Sequence, residues 1–259
     1  MENLNSILAE FSPITLKEMD GVKLMDRTDT KYVFTFQQLP VFLQQLKNDY
    51  MILTVEGNRI SRYESLYFDT KNFDLYHNHH RSKPSRFKIR FRKYVESNLH
   101  FFEVKFKNNK GRTIKNRVKQ KGIDGSINDS AELLLKDKTP LESSNLEAKI
   151  WVNYSRITFV NKRSPERVTI DIDLTFKNDE QSKTIHNLVI AEVKQDKAVS
   201  SSFIKLMKKY HVREGAISKY CYGVISLFDK IKHNNFKPNL ILLKKIINSN
   251  SYYDTITRY

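Results

Sequence analysis

The chain has 259 residues, enough for one large domain, and its 39% hydrophobic and 12% aromatic residues are globular rather than disordered values. Forty-five Lys and Arg (45) against 29 Asp and Glu leave a formal charge of +16, which favours polyanionic partners: nucleic acid, anionic lipid or phosphate-rich small molecules. One cysteine, Cys221, excludes an intrachain disulfide framework and a Cys-rich zinc site, and no run approaches the roughly 18 apolar residues that span a bilayer. The first residues lack a secretory pattern, so the expected location is the cytoplasm, with a basic face able to rest on the inner face of a membrane.

Residues 3–19 (NLNSILAEFSPITLKEM) predict a short amphipathic helix interrupted near Pro13. Residues 30–36 read as a strand and 39–50 as a helix with Pro40 early in it. From residue 61 strands dominate: 61–68, 87–94, 100–107 and 113–120, the last two joined by the turn NNKG at 108–111. Short helices are expected over 130–136 and 144–149, strands over 150–160, 167–176 and 187–194, and helices over 203–210 and 216–232. The last twenty residues are ambiguous. Few of these strands stand in βαβ order, which argues for an antiparallel α+β sheet or barrel with helices at its margins. With only 7 Gly and 6 Pro and no low-complexity linker, one domain is expected: a helical segment over 1–26, a barrel over 27–223 and a helical tail over 224–259.

The segment RFKIRFRK sets Arg86, Lys88, Arg90 and Arg92 on one strand face, with Phe87, Ile89 and Phe91 on the other. The pattern recurs. Glu103, Lys105 and Lys107 are in phase, as are Lys115, Arg117 and Lys119, and Arg167, Thr169, Asp171 and Asp173. Glu192 aligns with Lys194, and Arg27 and Asp29 with Lys31. In a sandwich such faces are the wet outside. A solvated face, however, mixes Ser, Thr, Glu, Lys and Gln without order, whereas these are rich in Arg and Lys with single carboxylates. A barrel with an inward charged lumen reconciles the pattern with greasy outer faces that helices can cover. A threaded anion would relieve the repulsion, since Arg forks and Lys ammoniums both hold phosphate oxygens.

Several stretches together resemble the VTC family: RTDTKY, the YFDT of residues 67–70, KIRFRKY, FEVKFK with its downstream KNR, YSRITF, RVTIDIDL, AEVK and ISKYCYG, in that order. That family comprises the catalytic domains of vacuolar transporter chaperone polyphosphate polymerases and their bacterial relatives, within the triphosphate tunnel metalloenzyme superfamily. The resemblance implies an antiparallel β-barrel forming a basic tunnel. It implies an enzyme that transfers the γ-phosphate of ATP to a growing polyphosphate chain with Mn²⁺ or Mg²⁺. Carried over by position, Lys31, Arg90, Arg92, Lys105, Arg156, Arg167 and Lys219 are the expected catalytic phosphate ligands. Lys88, Lys115, Arg117, Lys194 and Ser218 are further phosphate-binding candidates. Glu192 is the expected metal ligand, with Glu103 or Asp171 as a possible second. A tunnel open at both ends would let product leave while nucleotide enters.

Two departures qualify that transfer. The wider superfamily opens with ExExK, where this chain has Arg27, Asp29 and Lys31, a swap that fits the polymerase branch. These 259 residues are also expected to leave no room for a phosphate-sensing SPX domain or membrane helices, so regulation and product export are not carried over from the family; a membrane protein that carries product away is a candidate partner. The alternatives are a metal-dependent triphosphatase and a non-catalytic polyphosphate binder. A nucleic-acid binder is disfavoured, because stacking platforms need aromatics on the charged face and Phe87, Phe91, Phe102 and Phe106 lie opposite it. His77, His79 and His80 read as a polar loop, Cys221 as a buried apolar thiol, and Lys244 and Lys245 as part of a segment packed on the barrel.

Overall fold

The alternating segments pair into one large, almost wholly antiparallel sheet. The computed structural model describes residues 2–19, 28–196, 199–215 and 217–248. Its helices are α1 (Glu2–Ala9), α2 (Leu16–Met19), α3 (Gln38–Leu46), α4 (Asp74–His80), α5 (Asp129–Lys138), α6 (Ser202–Lys209), α7 (Lys219–Leu227) and α8 (Lys237–Asn248). Its strands are β1 (Pro13–Ile14), β2 (Thr28–Thr35), β3 (Tyr50–Leu53), β4 (Ser61–Asp69), β5 (Arg86–Tyr94), β6 (Leu99–Lys107), β7 (Thr113–Gln120), β8 (Glu147–Asn161), β9 (Glu166–Lys177), β10 (Ser182–Ile185) and β11 (Leu188–Gln195). The main order is β2-β11-β9-β8-β4-β5-β6-β7, with β3 paired to β8, β10 to β9, and β1 parallel to β3. Arg27 lies outside the described residues.

The sheet is curled. Lys105 on β6 interacts electrostatically with Lys31 on β2 and Glu192 on β11. In a flat sheet six strand spacings would hold β6 and β2 roughly 30 Å apart, far beyond the reach of such an interaction. The expected antiparallel, barrel-like sheet with flanking helices is therefore present. Its end strands β2 and β7 are not paired with each other, so the barrel stays open along one seam.

Two apolar clusters coat the convex face. Phe34, Ile170, Val189 and Val193 of the sheet pack under Leu8 of α1, Phe42 of α3 and Phe203 of α6. Ile89, Phe91, Phe102 and Val104 pack with Ala131 and Leu135 of α5. Each such fully buried side chain contributes about 1.5–3 kcal/mol of transfer free energy. A third cluster lies on the concave side, where Val33, Ile150, Val152, Leu174, Phe176 and Ile190 meet Tyr220, Cys221, Val224 and Leu227 of α7 and Leu243 and Ile246 of α8. Gly223 permits this: a Cβ there would sit 2.6 Å from Phe176 and 2.7 Å from Ile150. The concave face is thus charged along only part of its length. The uniformly polar channel expected from strand phase is replaced at one end by an apolar plug.

The plug depends on a change of phase. Asp173 has a left-handed φ of 53°, and the β8–β9 register shifts between Asn153 and Ser155. The bulge turns Leu174 and Phe176 onto the concave side, so Asp173 does not continue the Arg167–Asp171 row as simple alternation expects.

Other local expectations shift for physical reasons. Residues 3–19 split into α1, β1 and α2, the last opened by a capping box in which Thr15 donates its backbone N–H to Glu18 (2.8 Å) and accepts from Glu18 N (3.3 Å). The expected helix at 144–149 is a 3-10 turn, Ser143–Asn145, followed by β8, because Glu147 and Ala148 pair with Asp69 and Phe68. The His77–His80 segment is helical rather than a loop. The Asp69 carboxylate accepts the backbone N–H groups of Thr70, Leu75 and Tyr76, each at 2.8 Å, and so fixes the start of α4. Short β3 and β10 carry too few residues to show a period.

Candidate functional site: a cationic concave face

The site is assembled by register. Across β5–β6–β7, Lys88 faces Lys105, which faces Lys115, and Arg90 faces Glu103, which faces Arg117. Arg156 on β8 faces Asp171 on β9, Lys194 on β11 faces Arg167 on β9, and Glu192 faces Lys31 on β2. The N-terminus of α7 adds Ser218 and Lys219 at the boundary between the charged and apolar parts.

Three carboxylates organise the face, each held by two cations. Glu103 receives Arg90 Nε and Nη2 on one oxygen (2.8 and 2.5 Å) and lies 2.5 Å from Lys115 Nζ at the other. Asp171 receives Arg156 Nε (2.5 Å) and Nη2 (2.8 Å), and Lys219 Nζ (2.5 Å). Glu192 lies 3.3 Å from Lys31 Nζ and 2.7 Å from Lys194 Nζ. Burial alone would raise all three carboxyls. For Glu103 the charges of Arg90, Arg92 and Lys115 overcome this and hold it well below the usual range. Arg156 and Lys219 bring Asp171 down to about 2, and Lys194 and Lys31 hold Glu192 well below its ordinary value.

Cations still outnumber carboxylates. Arg92, buried, donates to Ser65 Oγ (3.2 Å) and Tyr154 OH (3.0 Å), while Lys88 reaches Ser218 Oγ at 3.1 Å. The charge of Glu192 acts in favour of the Lys105 ammonium. Burial and the neighbouring Lys88, Arg90 and Lys31 push it down to about 7. Burial likewise brings Lys115 to about 8, against the pull of Glu103. Arg117 stands in register with Glu103, yet its guanidinium lies over the Phe101 ring at 4.5 Å, so it sits beside the clamps rather than in one. Ser218 caps α7 by accepting from Cys221 N, a structural duty that fixes its hydroxyl next to Lys88.

Several contributors are tyrosines that charge patterning does not reveal. Tyr67 OH accepts from Arg90 Nη1 at 2.7 Å, and the nearby Arg90, Arg92 and Lys88 outweigh burial to lower its phenol below the ordinary value. Tyr63 stacks on Tyr154 with centroids 5.2 Å apart, and Arg156 lies 5.0 Å from the Tyr63 ring. The period-2 spacing of Tyr63, Ser65 and Tyr67 was the available signal. Asp69 of YFDT also acts indirectly: it accepts from Tyr220 OH at 2.5 Å and thereby ties α4 to α7.

Among the described residues no cluster of three His, Cys, Asp or Glu could hold a metal by itself. Glu192 is the accessible carboxylate, its side chain 16% exposed against 1% for Glu103 and 2% for Asp171. That donor set suits a hard divalent ion bound by one carboxylate and a ligand's own phosphate oxygens. No helix among the described residues is long and apolar enough to cross a membrane.

Among solved structures, the chain is similar to HpAC1 of Hippeastrum, described as having a dominant triphosphatase activity, at 10% identity and TM-score 0.49, covering 80% of this chain and 100% of that one. It is also similar to a proposed adenylate cyclase of Vibrio parahaemolyticus (12%, TM-score 0.47, 76% and 99% covered) and to another of Bacillus halodurans (13%, TM-score 0.46, 79% and 100%). No curated protein sequence matches. The family model of the VTC domain matches residues 26–228, which takes in every strand from β2 to β11 and all of α7. The chain belongs to the VTC domain family.

Proposed function

We propose that the protein is a polyphosphate polymerase of the triphosphate tunnel type, transferring the γ-phosphoryl group of ATP to the end of a polyphosphate chain on the concave face. The observation that carries this reading is the pairing of six cations with three carboxylates, with Lys88, Arg92 and Lys105 left beside them uncompensated by a carboxylate of their own. A row of phosphates supplies the missing negative charge.

Phosphoryl transfer asks the protein mainly for alignment and for charge stabilisation on the equatorial oxygens of the moving group. Arg90, Arg92, Arg156 and Lys219 supply that stabilisation. Glu103 and Asp171 pre-set two of the guanidinium planes and the Lys219 ammonium, so little reorganisation is needed when substrate arrives. The attacking group is a terminal phosphate oxygen already ionised at neutral pH, so no side chain need remove a proton. Its new P–O bond forms as the bond from the γ-phosphorus to the β–γ bridging oxygen breaks, and ADP leaves with that electron pair. Glu192 is the residue that would hold Mn²⁺ or Mg²⁺, and the ion would supply further charge neutralisation there. We assign Glu103 and Asp171 to bracing cations rather than to a second metal. Lys31 and Lys194 position Glu192, with Arg167 beside them. A single tunnel domain in the cytoplasm, delivering product to a membrane protein, belongs to the same reading.

The test is ³¹P NMR of purified protein with ATP and Mn²⁺. Signals of internal chain phosphates support a polymerase. Free phosphate alone would make the protein a triphosphatase, and no turnover with retained polyphosphate binding a binder.

A further inference from the structure

The cationic face does not end at Lys88 and Lys105. One step further along the same strands, Arg86 faces Lys107 in register, in phase with Lys88 and Lys105. Among the described residues none of these four cations forms an ion pair with a carboxylate, in contrast to the three clamps. The Arg86 Nε is buried without a partner, although its Nη1 donates to Lys83 O at 2.7 Å. α4 packs on β5 and brings His79 among Arg86, Lys88, Lys105 and Lys107. Burial and those charges hold the imidazole neutral, so it can hydrogen-bond an anion without adding to the repulsion. The apolar plug fills the concave side behind Ser218, which Lys88 touches. The Arg86–Lys107 row is therefore the charged continuation left for a ligand that outgrows the clamps.

We propose that Arg86, Lys107 and His79 form a subsite for linear polyphosphate, gripping the chain beyond the Lys88–Lys105 row and keeping a long product bound between additions. The inference rests on the polymerase reading and adds to it a preference for long chains over short ones.

The test is calorimetric titration of wild type and an Arg86→Gln/Lys107→Gln variant with tripolyphosphate and with long-chain polyphosphate at fixed ionic strength. We expect the variant to lose about tenfold in long-chain affinity, the scale of two lost charge contacts near water, and to keep tripolyphosphate affinity within about twofold. His79→Glu, which places a carboxylate among the four cations, is expected to weaken long-chain binding likewise. The charge-preserving Arg86→Lys/Lys107→Arg variant should retain it. Unchanged long-chain affinity in Arg86→Gln/Lys107→Gln, or an equal loss for tripolyphosphate, would overturn the subsite while leaving the polymerase reading in place. Failure of the wild type to bind either length would overturn both.

Discussion

Arg156 and Asp171 stand opposite each other on β8 and β9, and the guanidinium meets both carboxylate oxygens, through Nε at 2.5 Å and Nη2 at 2.8 Å. Lys219 joins the second oxygen, so one carboxylate ties two strands to the start of α7. The carboxylate is 2% exposed and its two cations 14% and 17%, enough burial for the pairing to matter and enough exposure to temper it. Asp171→Asn should cost about 2–3 kcal/mol of stability by leaving both cations without a counter-ion. Tripolyphosphate should then raise the melting temperature of the variant more than that of the wild type, while turnover falls because the donors lose their orientation. Thermal melts with and without tripolyphosphate check this. An unchanged melting temperature, or a smaller ligand shift in the variant, would contradict the counter-ion role.

Polyphosphate binding should take up protons near neutral pH. Burial and neighbouring cations hold Lys105 near 7 and Lys115 near 8, both below their ordinary value, so each is partly neutral in the free protein at pH 7–9. A polyanion favours the ammonium form and raises both. Affinity should therefore fall as pH climbs from about 7 to 9. Calorimetry in buffers of different ionisation enthalpy should show proton uptake, reduced in Lys105→Met. Folding has its own sign: between the folded values and 10.5 the unfolded chain binds more protons, so these two groups make stability rise with pH over that window. Proton release on binding would contradict the assignment.

Strand phase made much of the site legible. Arg90, Arg92, Glu103, Lys105, Arg156, Asp171 and Glu192 occupy positions that alternation alone places on one face, and the convex Phe91 and Phe102 follow from the same rule. Pairing between strands is not legible that way, because it joins residues as distant as Lys31 and Glu192, and the two-cation clamps could not be anticipated. The bulge at Asp173 escaped because one left-handed residue reverses the phase of everything after it. The concave plug was hidden for a related reason. Leu174, Phe176 and Ile190 read as ordinary strand hydrophobics until α7 is known to lie against them.

Asp69 is a structural acid in a charged protein. Its carboxylate, itself buried, accepts three backbone N–H groups and the Tyr220 hydroxyl. Burial raises its pKa above the ordinary value despite those bonds, which marks how much this acid relies on its partners. Asp69→Ala should destabilise the fold by about 3 kcal/mol, measured by denaturant unfolding. Substrate affinity of the fraction that remains folded should change little. A loss of affinity without a loss of stability would place Asp69 in the binding machinery instead.

Gly223 tests the coupling between the plug and the site. The added methyl of Gly223→Ala would collide with Phe176 and Ile150, pushing α7 outward. The expected cost is about 1–3 kcal/mol. Because Ser218 and Lys219 ride on the same helix, turnover should also drop, and the fall should exceed that of a cavity-forming change elsewhere in the core, such as Leu135→Ala in α5. Equal effects would mean that α7 closes the sheet without positioning its end.

A structure of the protein with bound tripolyphosphate tests most directly whether a phosphate chain is the missing counter-charge of the concave face. We expect phosphate oxygens within hydrogen-bonding distance of Arg90, Arg156 and Lys219, with Lys88 and Lys105 turned toward the chain. Phosphates found only on the convex surface or at the outer lysines, with the three carboxylate clamps undisturbed and their cations untouched, would contradict it.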